Sequence, residues 1–212
     1  MFIAKRRGAQ KRHAMGGSYD LHKEIHIMSP LHAEIVRSLV VDFDLPLGII
    51  AKYKPDHPVV KGIDPATLEA TTANNTLFML INAGALQDEI TKLTMAAGLP
   101  ILGSSANLSG TGAKFQFEDV NREILDVADI TLDYGLIKFV HSPRTSSAML
   151  DFSGPNVEVV RIGVGYEIIR DHIKRFWNID LPADPGKEKC PSGHLKLPPP
   201  PLKKLERLMA QL

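Results

Sequence analysis

A chain of 212 residues with 44% hydrophobic residues and a formal net charge of +1 is long enough for one full domain with a sizeable core, and a second would be cramped. The near-zero charge provides no global field for nucleic acid or a membrane surface, so any such interaction must come from local clusters. A lone cysteine, Cys190, excludes an intramolecular disulfide framework and suits a reducing compartment, and no apolar run approaches the roughly 20 residues of a bilayer span.

The N-terminus is the most charged local stretch. Lys5, Arg6, Arg7, Lys11 and Arg12 precede the first acid, Asp20, with His13 beside them. Four readings fit: a cationic phosphate site, a nucleic-acid arm, an Arg-rich transit peptide poor in Ser and Thr, and a solvated basic end. Residues 1–4 read as the tail of a strand. His22, His26 and His32 are too loosely spaced for a metal site and read as structural or surface residues. Leu31, Ile35, Leu39 and Val40 give residues 31–41 a helical period, and residues 46–52 read as a strand. Asp64 as N-cap and Pro65 at the first helical position open a short helix. Asn74-Asn75 turns the chain into a strand over 76–82. Residues 85–97 form a helix with Leu86, Ile90, Leu93 and Ala97 on its inner face and Gly98 as C-cap. A strand over 99–102 follows at once, so strand, helix and strand predict a parallel crossover unit with its ligand beyond the strand ends.

That position holds Gly103, Ser104, Ser105, Asn107, Ser109 and Gly110. Hydroxyls and a carboxamide this close together can grip a phosphate or a ribose, and Gly103 admits close backbone approach. The competing reading is a polar loop whose Ser and Asn side chains satisfy local backbone groups. Residues 118–128 then read as a helix with Val120, Ile124 and Val127 on one face, and 129–133 as a strand. Strands over 146–152 and 157–162, joined by the tight connection 153–156, read as a hairpin. Residues 165–177 form an amphipathic helix with Ile168, Ile169, Ile173 and Phe176 inward. Beyond Leu181 the prolines mark an extended linker, and 202–212 could form a short amphipathic helix. The expected organisation is a domain over 1–181 and a flexible, disordered tail over 182–212.

Ser104-Ser105-Ala106-Asn107-Leu108-Ser109-Gly110, following an apolar strand that opens Leu99-Pro100, resembles the Ser-Ala-Asn loop of the YrdC-like family. That family includes the enzymes that make threonylcarbamoyl-adenylate for tRNA modification. Lys5-Arg6-Arg7 resembles its Lys-x-Arg motif, Ser147-Ala148-Met149-Leu150-Asp151 its Ser-Thr-Val-Val-Asp strand, and Arg161-Ile162-Gly163 its Arg-Pro-Gly. These features occur in the family's order across residues 2–166. The Thr of the strand motif is Ala148 here, and the Pro of the last motif is Ile162. Family members begin with a strand and a Pro-Thr-x-Thr-x-Tyr-Gly-Leu segment. This chain starts just after that place, so it resembles a divergent, N-terminally truncated member.

The resemblance implies an α/β fold, a single domain with an open twisted mixed sheet, flanking helices and a basic concave surface that binds ATP. The implied reaction joins L-threonine, bicarbonate and ATP into threonylcarbamoyl-adenylate and pyrophosphate, with Mg2+ accompanying the nucleotide. If active, the protein would be a nucleotidyltransferase of that type. Residue by residue, Lys5 and Arg7 would be catalytic and face the phosphates and the carboxylate-bearing substrate. Ser105 and Asn107 would hold ATP, with Ser147 and Arg161 closing on its phosphates and ribose. Arg6, Lys11 and Arg12 would contact phosphate or RNA. The alternative is a non-catalytic module for double-stranded RNA or tRNA, since phosphate-dominated binding needs only clustered Lys and Arg. An uncovered sheet edge would favour a homo-oligomer. The expected location is cytoplasmic, or mitochondrial under the transit-peptide reading, with no membrane partner.

Overall fold

The computed structural model describes residues 5–6, 11–109, 111–139 and 146–196. The early helices begin at side-chain caps that satisfy their first free N–H groups. Ser18 caps α1 (Tyr19–Ile25), Ser29 caps α2 (Pro30–Arg37), His57 caps α3 (Pro58–Lys61) and Asp64 caps α4 (Pro65–Thr71). A π turn, Ser38–Asp42, continues α2. The first strands are β1 (Ala14–Gly16), β2 (His26–Ile27), β3 (Leu47–Tyr53), β4 (Thr72–Ala73) and β5 (Thr76–Ile81). Asn74 and Asn75, with φ of 51° and 59°, form the tight turn between β4 and β5. Then come α5 (Ala85–Ala96), β6 (Ile101–Gly103), α6 (Arg122–Leu125), β7 (Ala148–Asp151), β8 (Glu158–Arg161) and α7 (Tyr166–Trp177).

The sheet runs β6-β1-β5-β3-β7-β8, with β2 beside β3 and β4 beside β5. It is open and mixed: β1 lies parallel to β5 and β3 to β7, while the other pairs along this path are antiparallel. Strand alternation separates two faces. One carries Met15, Leu47, Ile49, Leu77, Met79, Ile81 and Leu150, all fully buried in one cluster with Ile25, Ile35, Leu39, Ile169 and Ile173. The other carries Ile50, Phe78, Leu80 and Ile101, each half-buried. Small residues at Ala14, Gly16 and Gly48 keep this second face shallow. Together these elements form an α/β fold built on one open mixed sheet.

Four local expectations change in three dimensions. The strand, helix and strand around α5 are not a parallel crossover, because β1 inserts between β5 and β6 and β6 runs against β1. A pairing partner so far away in sequence leaves no local signal. Helix α5 is turned the other way round: Thr91 is fully buried while Ile90 and Leu93 are 37% and 70% exposed. Gln87 explains the rotation, since its amide donates to the carbonyls of Gly17 and Leu80 and so caps the ends of β1 and β5. The helix expected over 118–128 contracts to a 3-10 turn, Phe117–Asp119, and α6, and residues 129–133 form no strand. In α7, Ile169, His172 and Ile173 point inward, but Ile168 and Phe176 are exposed. The bond of 2.9 Å between His172 Nε2 and Ser38 Oγ sets that orientation.

The segment after Leu181, expected to lie outside the fold, is seated on it as far as residue 196. Ile162 N–H donates to the Gly193 carbonyl at 2.8 Å and Leu195 N–H to the Val160 carbonyl at 2.9 Å, covering the outer edge of β8. Tyr166 O–H donates to the Pro182 carbonyl at 2.6 Å. Removing that hydroxyl leaves a carbonyl without its partner, so Tyr166→Phe is expected to lower stability by about 1–2 kcal/mol in urea unfolding. An unchanged midpoint would show that the contact does not hold the segment. The strand tail expected at 1–4 and the helix expected at 202–212 lie outside the described residues. Among the described residues, no helix is long and apolar enough to cross a membrane.

Candidate functional site

Strand β6 ends at Gly103 opposite Ala14, where the basic N-terminal stretch enters β1. The Ser104–Asn107 loop therefore leaves the sheet beside that stretch. Lys5 is only 6% exposed. Its Nζ donates to Ser104 Oγ at 2.7 Å and to the Ser105 carbonyl, and its own carbonyl accepts from Ser109 N–H at 3.0 Å. Residues separated by about a hundred positions thus form one loop with an ammonium at its centre. Asn107 is 7% exposed and donates Nδ2–H to the Leu108 carbonyl. Its Oδ1 is buried with no hydrogen-bond partner among the described residues, and so is the Ser109 hydroxyl. A buried polar atom left unmet costs about 1–3 kcal/mol, so two such atoms in one loop, without partners among the described residues, are consistent with a polar ligand there. The Ser105 side chain faces solvent.

A second cluster lies at the β8 edge. Arg161 donates from Nε to the Ser147 carbonyl at 3.0 Å and from Nη2 to Ser147 Oγ at 3.1 Å. Burial pushes its guanidinium down to about 10, which still leaves it a cation at neutral pH. Register places Arg161 in a row across the open face through Met149, Gly48, Leu80, Gly16 and Ile101. Ser147 and Arg161 therefore border the same face as the Ser104–Asn107 loop, but at the other edge and the other strand end. The structure brings together Lys5, Ser104, Ser105 and Asn107, and separately Ser147 and Arg161.

His194, which sequence reasoning assigned to a disordered tail, pairs with Arg161 in an antiparallel bridge. Burial lowers its pKa first, then the Arg161 charge, with Lys11 adding to the same effect. Lys11 thus reaches the Arg161 cluster electrostatically. The available signal was Gly193, whose φ of 75° lets the chain pass against the Ile162 carbonyl. Arg12 instead donates to the Glu69 carbonyl at 2.9 Å, and Arg6 pairs with Glu123 at 3.1 Å in solvent. Arg7 lies outside the described residues.

No group of three or more His, Cys, Asp or Glu side chains among the described residues could hold a metal ion. His22 and His26 instead form a buried pair with Nδ1 atoms 2.8 Å apart. Burial holds both rings neutral: His22 at about 4, with Lys23 contributing, and His26 at about 3, with His22 contributing. An open cleft of about 1160 Å³ between α1 and α5 is lined by Ser18, His57, Asn82, Asp88 and Lys92, and includes none of the site residues above.

No protein-family profile and no curated protein sequence matches the chain. Its fold is found among solved structures. A doubly substituted variant of P. abyssi Sua5 superposes with a TM-score of 0.61 at 16% identity, over 86% of this chain and 48% of that one. P. abyssi Sua5 complexed with L-threonine matches with the same TM-score of 0.61 at 18% identity, again over 86% and 48%. A hypothetical protein from Streptococcus mutans matches at 0.61 and 19% identity, over 85% of this chain and 79% of its own. The chain spans about half the length of the Sua5 chains it matches. At these identities the likeness shows a shared YrdC-like fold.

Proposed function

We propose that this chain is a nucleotide-binding member of the YrdC-like family with the chemistry of a threonylcarbamoyl-adenylate synthase. The observation that carries the reading is the loop around Lys5. It holds a buried ammonium on Ser104 and Ser105, in a loop whose Asn107 oxygen and Ser109 hydroxyl have no partner among the described residues. Such a cradle suits a phosphorylated, hydroxyl-bearing ligand, because the cation meets the phosphate and the acceptors meet ribose hydroxyls. The structural likeness to Sua5, one form of which is complexed with L-threonine, supports threonine as co-substrate.

In this reaction the threonine amine takes up bicarbonate carbon with loss of water, and a carbamate oxygen attacks the α-phosphorus. The bond to the leaving pyrophosphate breaks, and negative charge grows on the phosphate oxygens. Lys5 and the hydroxyl donors of the loop stabilise that charge from fixed positions, which requires no covalent nucleophile. Ser147 and Arg161, at the other edge of the face, suit a separate anionic group rather than the phosphate held at Lys5. Magnesium would enter on the triphosphate, since the described residues provide no carboxylate cage. The burial of Lys5 inside the loop favours a small anion over RNA, which binds to cations exposed at the surface.

Calorimetric titration with ATP and magnesium tests the reading. Asn107→Ala is expected to weaken binding by about 1–3 kcal/mol, the range for one lost buried polar contact. Pyrophosphate release on adding threonine and bicarbonate supports the synthase chemistry. Unchanged affinity in a folded Asn107→Ala variant would remove the loop from the site. Salt-sensitive binding of double-stranded RNA that ignores ATP would replace the nucleotide reading.

A further inference from the structure

We propose that residues 129–136 are a pairing strand for a second copy of this chain. Ile130, Leu132, Tyr134 and Leu136 alternate with Thr131, Asp133 and Gly135, and are 79%, 66%, 72% and 64% exposed. This is the pattern of a strand with one apolar face, yet the stretch belongs to no sheet. Its ends are tethered, by Ala128 N–H to the Leu125 carbonyl, Ile137 N–H to the Phe115 carbonyl and Lys138 to Asp44. Between the tethers, the only hydrogen bond of its backbone to the described residues runs from Gly135 N–H to the Asp133 carboxylate. Four exposed apolar side chains above an unpaired backbone form a template for strand addition.

The occupant follows from self-complementarity. In an antiparallel pair with its two-fold axis at Leu132, that residue faces Leu132 of the second copy and Ile130 faces Tyr134. Ala128 faces Leu136, Asp133 faces Thr131 and Asp129 faces Gly135. Every apolar residue on the exposed face meets another, no two carboxylates are opposed, and beyond the ends Asp126 comes beside Lys138. Moving the axis one residue either way opposes Asp133 to itself or Asp129 to Asp133, which like-charge repulsion disfavours. Gly135, at φ 77°, must become extended for the ladder to form, and glycine can do so without a side-chain penalty. The three-residue β6 edge offers a far shorter ladder. The surface is separate from the Lys5 loop, so it stands or falls independently of the nucleotide reading.

Sedimentation of the full chain across the micromolar range tests the proposal. The wild type is expected to show a reversible monomer–dimer equilibrium. Leu132→Pro, which removes a ladder donor, and Leu132→Lys, which opposes two ammonium groups, are each expected to weaken it by about tenfold or more. Both sit at an exposed position, so circular dichroism should match the wild type. In a Cys190→Ser background, Leu132→Cys should form a disulfide-linked dimer under mild oxidation, whereas Thr131→Cys, facing Asp133, should not. A chain that stays monomeric at every concentration overturns the proposal. So does a dimer indifferent to both Leu132 variants, or equal cross-linking at 131 and 132.

Discussion

Replacing Gly163 with alanine is expected to lower stability by about 3 kcal/mol or more, because the added Cβ has nowhere to go. It would fall well inside van der Waals contact with the backbone of Ser146, Ser147 and Ala148. Backbone cannot swing aside as a long side chain can. The crowding has a structural cause: between β8 and α7 the chain passes against the start of β7, where Val164 N–H donates to the Ser146 carbonyl at 2.8 Å. The same crossing holds Ser147 against Arg161, so any folded Gly163→Ala protein should also lose that pairing. Gly103→Ala is the control. A Cβ there meets nothing within 4 Å, and the variant should unfold within about 0.5 kcal/mol of wild type. Equal urea midpoints for the two variants would contradict the crowding argument.

Acid is expected to produce the second large effect, through His22 and His26. Both rings are buried and neutral, one donating and the other accepting across 2.8 Å. Their pKa values in the fold, about 4 and about 3, lie below the ordinary 6.5. Between those limits the unfolded chain binds protons that the folded chain refuses. Stability is therefore complete above pH 6.5 and falls as pH drops towards 4. At about 1.4 kcal/mol per unit, His22 alone amounts to about 3 kcal/mol over that window. Carboxylates also titrate there, so the informative quantity is the difference between wild type and a variant with both rings made apolar, His22→Leu with His26→Leu. The variant should have a flatter stability curve between pH 7 and pH 4.5. Parallel curves would show that the pair carries no proton linkage.

The features readable from the sequence were those decided within a few residues. Asp64-Pro65 starts α4 because a carboxylate can reach an N–H three residues on and proline suits the first turn. Asn74-Asn75 turns β4 into β5 because asparagine tolerates the left-handed backbone. The Ser104–Asn107 loop was visible as a cluster of small polar residues after an apolar strand. Its likeness to the YrdC-like motif pointed to the fold that the structure shows.

Only the tertiary structure decided how these pieces meet. Whether β6 pairs with β5 or with β1 depends on ladders between residues tens of positions apart, and no local pattern encodes that choice. The inner face of α5 departs from its apolar period because Gln87 caps strand ends that come into reach only once β1 and β5 lie side by side. His194 looked like part of a tail, and became a neighbour of Arg161 when residues 193–195 covered the edge of β8. The sequence by itself determined elements such as α4, β5 and α7, the Asp64 cap and the polar composition of one loop, since those depend on groups within a turn or two. Tertiary packing decided the strand order, the buried state of Lys5 and Asn107, and the separation of the Arg161 cluster, because burial and register are sums over contacts distant in the chain.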